Sequence, residues 1–145
     1  MAEMIPDQQG RLRHITLALP GAGIDLTVTQ DAGVRWRFKS LRFVFDTDAN
    51  AADRHVRIVF ILGGTNVLVL WPQQDHKANT NRGYLVSTVS ATEIDTNGAL
   101  RYIIAPEDML FNNQVVIATL VESMQVGDQL SAAELLVEEW IEPLA

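Results

Sequence analysis

"RWRFKSLRFVF", residues 35–45, places four cations and four large aromatics in eleven positions. Read with the period of two that a strand imposes, Val34, Trp36 and Phe38 share one face and Arg35, Arg37 and Lys39 the other. The phase then flips. Leu41, Phe43 and Phe45 take the opposite parity, and Ser40, Arg42 and Val44 oppose them. A slip of one residue sends every later side chain to the other face. A β-bulge within residues 39–41 repairs the phase by adding one residue and bending the strand. Long bent strands of this kind turn the corners of two-sheet sandwiches. A nucleic-acid stacking platform needs exposed aromatics interleaved with cations on the same face, whereas here the two lie on opposite faces. Trp36, Phe38, Leu41, Phe43 and Phe45 therefore read as core. Arg35, Arg37, Lys39 and Arg42 read as a basic side that covers a sheet surface or meets an acidic partner, such as the acidic C-terminal segment of this chain or of a neighbouring copy.

Working outward, similar runs recur at 11–19, 23–30, 34–46, 54–62, 66–72, 83–93, 99–105, 114–122 and 132–141. Breakers separate them: "PGAG" at 20–23, "QDAG" at 30–33, "DTDANAAD" at 46–53, "GGTN" at 63–66, "DTNG" at 95–98 and "PED" at 106–108. This spacing is that of a sandwich or barrel, and with the bent strand at 34–46 the expectation is an all-β, single-domain β-sandwich of about 8–9 strands over residues 11–145, preceded by an N-terminal arm, residues 1–10. "GGTN" is too short to cradle a phosphate and precedes a strand, so it reads as a tight turn. Asn97-Gly98 carries a type I′ hairpin signal. The polar run "PQQDHKANTNR", 72–82, is expected to be an exposed loop and the most mobile part of the domain. The C-terminus is ambiguous. Ser131 with Glu134 forms a helix capping box, while Leu135, Val137 and Ile141 support strand alternation.

The 145 residues suffice for one core without disulfides or metals, and 48% of them are apolar. There is no cysteine, hence no disulfide, thiol nucleophile or cysteine-based zinc site. No signal peptide stands in "MAEMIPDQQG", and no apolar run approaches the roughly 18 residues that span a bilayer. A soluble chain without membrane association is expected. The net charge of −7 is uneven: residues 1–101 hold all 11 cations and 10 carboxylates, and residues 102–145 hold 8 carboxylates and no cation. Such a balance opposes phosphate binding.

No catalytic constellation emerges. Asp46, Asp48 and Asn50 imitate the start of a calcium loop, but the sixth position is Ala51 and the twelfth is Arg57, where glycine and a bidentate glutamate are required. A polar connection pinned by Arg54, through loop carbonyls or Asp46, is the better reading. His14, His55 and His76 lack ligand spacing and read as surface or strand-edge residues. Glu138 and Glu139 are adjacent, so a strand would point them to opposite faces, unable to flank one bond. No G-x-S-x-G elbow occurs. No enzyme activity, cofactor or metal is expected.

Four pieces, "AGVRWRFKSLRF", "FDTDANAADRHVRI", a polar run rich in Asn and Gln, and "VGDQL…LLVEEW", resemble small virion proteins of tailed bacteriophages. Gly33, Trp36, Ser40, Thr47, Ala49, Ala52, Arg54, Gly127, Asp128, Glu138, Glu139 and Trp140 carry the likeness, which spans most of residues 22–142. It implies a jelly-roll sandwich, favours a strand over 132–141, and implies a cement or decoration protein on the outer surface of the capsid. The partner would be the major capsid protein, with assembly in the host cytoplasm. Candidate capsid contacts are Arg35, Arg37, Lys39 and Arg42. Self-association, a dimer favoured over a trimer, is expected through Trp71, Trp140 and Leu144. The alternative is a fibre, collar or tail module that recognises host-surface carbohydrate.

Overall fold

The computed structural model describes residues 10–88, 100–112 and 114–141. Ten strands run in chain order: β1 (Arg11–Thr16), β2 (Thr27–Thr29), β3 (Val34–Asp46), β4 (His55–Leu62), β5 (Thr65–Leu70), β6 (Asn81–Ser87), β7 (Leu100–Ile104), β8 (Leu110–Phe111), β9 (Val115–Glu122) and β10 (Gln129–Ile141). They form two sheets, ordered β1-β10-β3-β6-β7, with β8 beside β3, and β2-β9-β4-β5. Setting aside the short strands β7 and β8, the antiparallel pairs nest: β1 with β10, β2 with β9, β3 with β6 and β4 with β5. That is a long hairpin ribbon rolled into two facing sheets, the jelly-roll arrangement of eight strands. The ambiguous C-terminus is strand. Glu134 does not cap a helix but lies opposite Thr16 and Arg42.

The phase flip in β3 has the expected cause. Leu136 of β10 pairs with Ser40 and Val137 with Phe38, which leaves Lys39 as the extra residue. The bulge also marks a change of neighbour. On the other edge of β3, β6 pairs with Ser40–Asp46, and β8 pairs with Trp36 and Arg37. A second irregularity lies on β10 between Ser131 and Glu134, where Ala132 has φ +49°. The β4–β5 turn places Gly63 and Gly64 at φ +57° and +81°, the left-handed pair that a type I′ turn needs and that glycine adopts without strain.

Trp36, Phe38, Phe43, Phe45, Ile58 and Phe60 are all buried in one core between the sheets. Phe38 meets Phe60 edge-on at 5.3 Å, Phe43 stacks on Tyr84 at 5.1 Å, and Phe60 stacks on Phe111 at 5.8 Å. Aromatic pairs in such geometries add to simple area burial.

The Asn97-Gly98 turn lies outside the described residues, and β6 and β7, which precede and follow the undescribed segment, pair in parallel. One local expectation needs correction. The 72–82 segment is not simply an exposed loop. Pro72 and His76 are buried, and His76 exchanges both backbone hydrogen bonds with Arg54 at 2.8 and 2.9 Å. Polar composition foretold exposure, which holds for Gln73, Gln74, Asp75, Lys77 and Asn79 but not for the two buried rings.

Candidate functional site

The "DTDANAAD" loop ends at Arg54, whose side chain is fully buried. All five of its N–H groups are used. Nε and Nη2 grip the two carboxylate oxygens of Asp128, each at 2.9 Å. Nη2 also reaches Asp48 Oδ1 at 2.7 Å, and Nη1 donates to the carbonyls of Asn50 and Ala52. The carbonyl contacts are as expected, but the carboxylates are Asp48 and Asp128 instead of Asp46. Asp46 ends β3 and pairs across the sheet with Asn81 and Gln129. Asp128 in turn accepts from the backbone N–H of Asp48 and Gln125. Burial acts to raise the Asp128 carboxyl, but the Arg54 guanidinium and these N–H bonds outweigh it and hold the group below the usual carboxylate range. Gly127 is tight here: a Cβ on it would lie 2.6 Å from Asp48 Oδ2. Thr47 completes the knot by donating to the Lys77 carbonyl at 2.6 Å and accepting from Thr80 N–H at 3.1 Å. Thr47, Arg54, Gly127 and Asp128, all among the residues that carry the phage resemblance, thus meet in one structural fastening.

A second buried carboxylate sits at the other end of β3. Glu138 and Glu139 do point to opposite faces. Glu139 faces inward, accepts from the Trp36 indole at 2.9 Å and from Arg13 at 2.8 Å. Burial pushes its carboxyl up, but these two bonds and the charges of Arg13 and Arg11 bring it below its ordinary value. Glu138 faces outward and meets Arg37 at 3.2 Å. The acidic C-terminal segment of this same chain is therefore a partner of the basic strip.

His76 is not a surface residue. Its Nε2 donates to the Thr80 carbonyl at 2.8 Å, so Nδ1 accepts from the Tyr84 hydroxyl, also at 2.8 Å. Burial lowers the ring's pKa, the charges of Arg101, Arg82 and Arg54 push the same way, and the Thr80 bond opposes them. Burial also raises the Tyr84 hydroxyl to about 12. The unfolded imidazole takes up a proton near pH ~6.5, and the folded ring does so only at lower pH. Stability is thus flat above about pH 6.5 and falls as pH drops through that value toward the folded one. Urea midpoints measured from about pH 7.5 to about pH 5 are expected to decline for the wild type and to lose that step in His76→Gln. A later loss below about pH 4, from Asp128 and Glu139, should persist in both. An unchanged profile in His76→Gln would remove the imidazole from this account. By contrast His14, beside Glu134, is exposed, and His55 lies 3.1 Å from Asp75 in partial exposure.

The four candidate capsid contacts lie on β3, with Lys39 at the bulge. Arg35, Arg37 and Lys39 are half-buried, and Arg42 is exposed opposite Glu134. Arg37 is engaged within the chain by Glu138, by Asp108 at 3.8 Å and by the Trp140 ring at 5.1 Å. Trp140 is only 6% exposed and lies against the Gly10 backbone, so it has little free area to offer. Trp71, by contrast, is 55% exposed. Leu144 lies outside the described residues. Trp71 borders an open groove of about 600 Å³ between β5 and β7, lined also by Gln73, Gln74, Arg101, Tyr102 and Ile104. Among the described residues no group of three metal-ligating side chains converges.

Sequence reasoning missed Asp128, Glu139 and His76 as anchors. Their partners are 74, 103 and 8 residues away, on loops and strands that only folding makes neighbours, which no residue spacing in the sequence encodes.

No family model matches the chain, and no curated protein matches it. Among solved structures, a chain in the structure of infectious bursal disease virus Gt strain is 18% identical, with a TM-score of 0.39 over 90% of this chain and 33% of that one. A chain of the Gx strain is 17% identical, with a TM-score of 0.32 over 99% of this chain and 45% of that one. This chain thus spans less than half the length of either. Superpositions this loose carry no argument about residues or role.

Proposed function

We propose that this chain is a structural virion protein that binds the outer surface of a tailed-phage capsid as a cement or decoration protein. Its partner is the major capsid protein, its copies associate as dimers, and the role needs no catalysis, cofactor or nucleic acid. The observation that supports this reading is where the polar chemistry is spent. Arg54, Asp128, Glu139 and His76 are buried and saturated by bonds that hold loops and strands together. What faces solvent is laid out on broad sheet faces, which suits a rigid piece that adds many weak contacts across capsid joints.

On this reading Lys39 and Arg42 meet an acidic capsid surface. Labelled protein mixed with emptied, expanded heads is expected to be retained, and duplex DNA at physiological salt is not. Retention should weaken with salt only in part, because apolar contacts are not screened. Lys39→Gln with Arg42→Gln should lower occupancy several-fold and leave melting unchanged, since the Arg37 contacts are untouched. Tight DNA binding without retention on heads would overturn the proposal.

One observation favours the carbohydrate-binding alternative. The groove beside Trp71 and Tyr102 pairs aromatic faces with the amides of Gln73 and Gln74, a set that suits a sugar ring. Retention on a glycan surface that Trp71→Ala abolishes, without retention on heads, would select that reading.

A further inference from the structure

The two strands that flank β10 are held in different ways. β3 buries Trp36, Phe38, Leu41, Phe43 and Phe45, whereas β1 buries none of its six residues. Ile15 packs only partly against the core. Leu17, just past the strand, is buried, and its N–H donates to the Ala133 carbonyl at 2.9 Å. Besides the backbone ladder, what fastens β1 is charge. Arg13 donates to two carboxylates, Glu139 at 2.8 Å and Asp31 at 2.9 Å. Arg11 lies 3.6 Å from Glu139, and His14 and Thr16 both reach Glu134. Apolar burial ties a strand to the unfolding of the whole domain, while a strand held by partly exposed polar contacts can open at lower free energy.

We propose that β1 is a releasable strap: Arg11–Thr16 lift from β10 as one unit, hinged at Leu17, while the rest of the sandwich stays folded. Arg13 is the latch, because it ties the strap both to β10 and, through Asp31, to the connection between β2 and β3. The chain beyond the hinge is anchored again. Gln129 donates to the Pro20 carbonyl at 2.9 Å, and the Gly23 N–H donates to the Asp128 carbonyl at 2.7 Å, so the opening stops there. Release has a definite consequence. β10 pairs with β1 through Glu134–Glu139, and without β1 this stretch becomes a sheet edge, a template for another strand. Glu139, buried while the strap is closed, then keeps the Trp36 indole as its donor and loses Arg13. Salt favours release in part: the Arg13–Asp31 pair is exposed and screened, whereas the Glu139 carboxylate is sheltered. The inference does not depend on the capsid reading.

Native-state hydrogen exchange, resolved by residue on the full chain, tests this. The hydrogen-bonded amides of β1 are expected to share one protection factor, about tenfold or more below those of β4 and β9. Raising salt from about 50 mM to about 500 mM should lower β1 protection about threefold. Arg13→Gln should lower it about tenfold or more, the worth of a hydrogen bond to a charged group, with β4 and β9 changed less. Asp31→Asn keeps the Glu139 bond and should lower it about twofold to fivefold, as for an exposed pair. Lys77→Gln, which breaks the pair with Asp53, should leave β1 unchanged. β1 amides as protected as those of β4 and β9 would overturn the proposal. So would protection that rises steadily from Arg11 to Thr16 and ignores both salt and Arg13→Gln, which is ordinary fraying. An Arg13→Gln effect shared equally by β1, β4 and β9 would make Arg13 part of the global fold and overturn it too.

Discussion

Arg54→Met is expected to destabilise the protein by about 3–5 kcal/mol, the cost of breaking a buried pair from one side. Met retains much of the aliphatic volume but supplies none of the five donors. Asp128 would then be a buried carboxylate with only the Asp48 and Gln125 N–H groups left to it, and the carbonyls of Asn50 and Ala52 would lose their donor. The double variant Arg54→Met with Asp128→Leu should recover part of the loss, since a buried pair replaced on both sides leaves no orphan charge. Urea midpoints of the two single variants and the double give the coupling. A loss under about 1 kcal/mol in Arg54→Met would mean that water reaches the site and that the loop is held by other contacts.

Trp36→Ala should cost a similar amount, about 3–5 kcal/mol, from loss of an aromatic core residue. Trp36 is 1% exposed, and its indole N–H is the donor to Glu139. Two losses therefore combine: the cavity, and a buried carboxylate short of one bond. Trp36→Phe separates them, because it keeps most of the volume and removes the donor. That variant should lose about 1.5–3 kcal/mol, the value of a hydrogen bond to a charged group. Thermal melting of both variants checks this, and a Trp36→Ala protein that melts like wild type would remove the residue from the core.

The strand pattern was legible because burial on one face of a sheet imposes a period of two on the chain. The bulge at Lys39 could be read for the same reason, since a break in that period is visible without knowing which strand lies alongside. The glycine pair of the β4–β5 turn is likewise local chemistry. Where two local rules conflicted, at residues 131–141, neither could win from sequence. The pairing of β10 with both β1 and β3 settles that segment as strand, because a central strand satisfies its backbone on both edges, which no cap can match.

What the sequence by itself determined is the sandwich, its breakers, and the aromatic core, all consequences of side-chain period and turn residues. What only the tertiary structure decided is the fate of the polar groups. The Arg54–Asp128 grip, the inward turn of Glu139 onto Trp36 and Arg13, and the burial of His76 under Tyr84 depend on which strands and loops become neighbours. The same holds for Leu120 of β9, which reads as ordinary strand core until the register sets it opposite Arg57, partly exposed. Periodicity reports that a side chain has a face; only the packing of two sheets decides what that face meets.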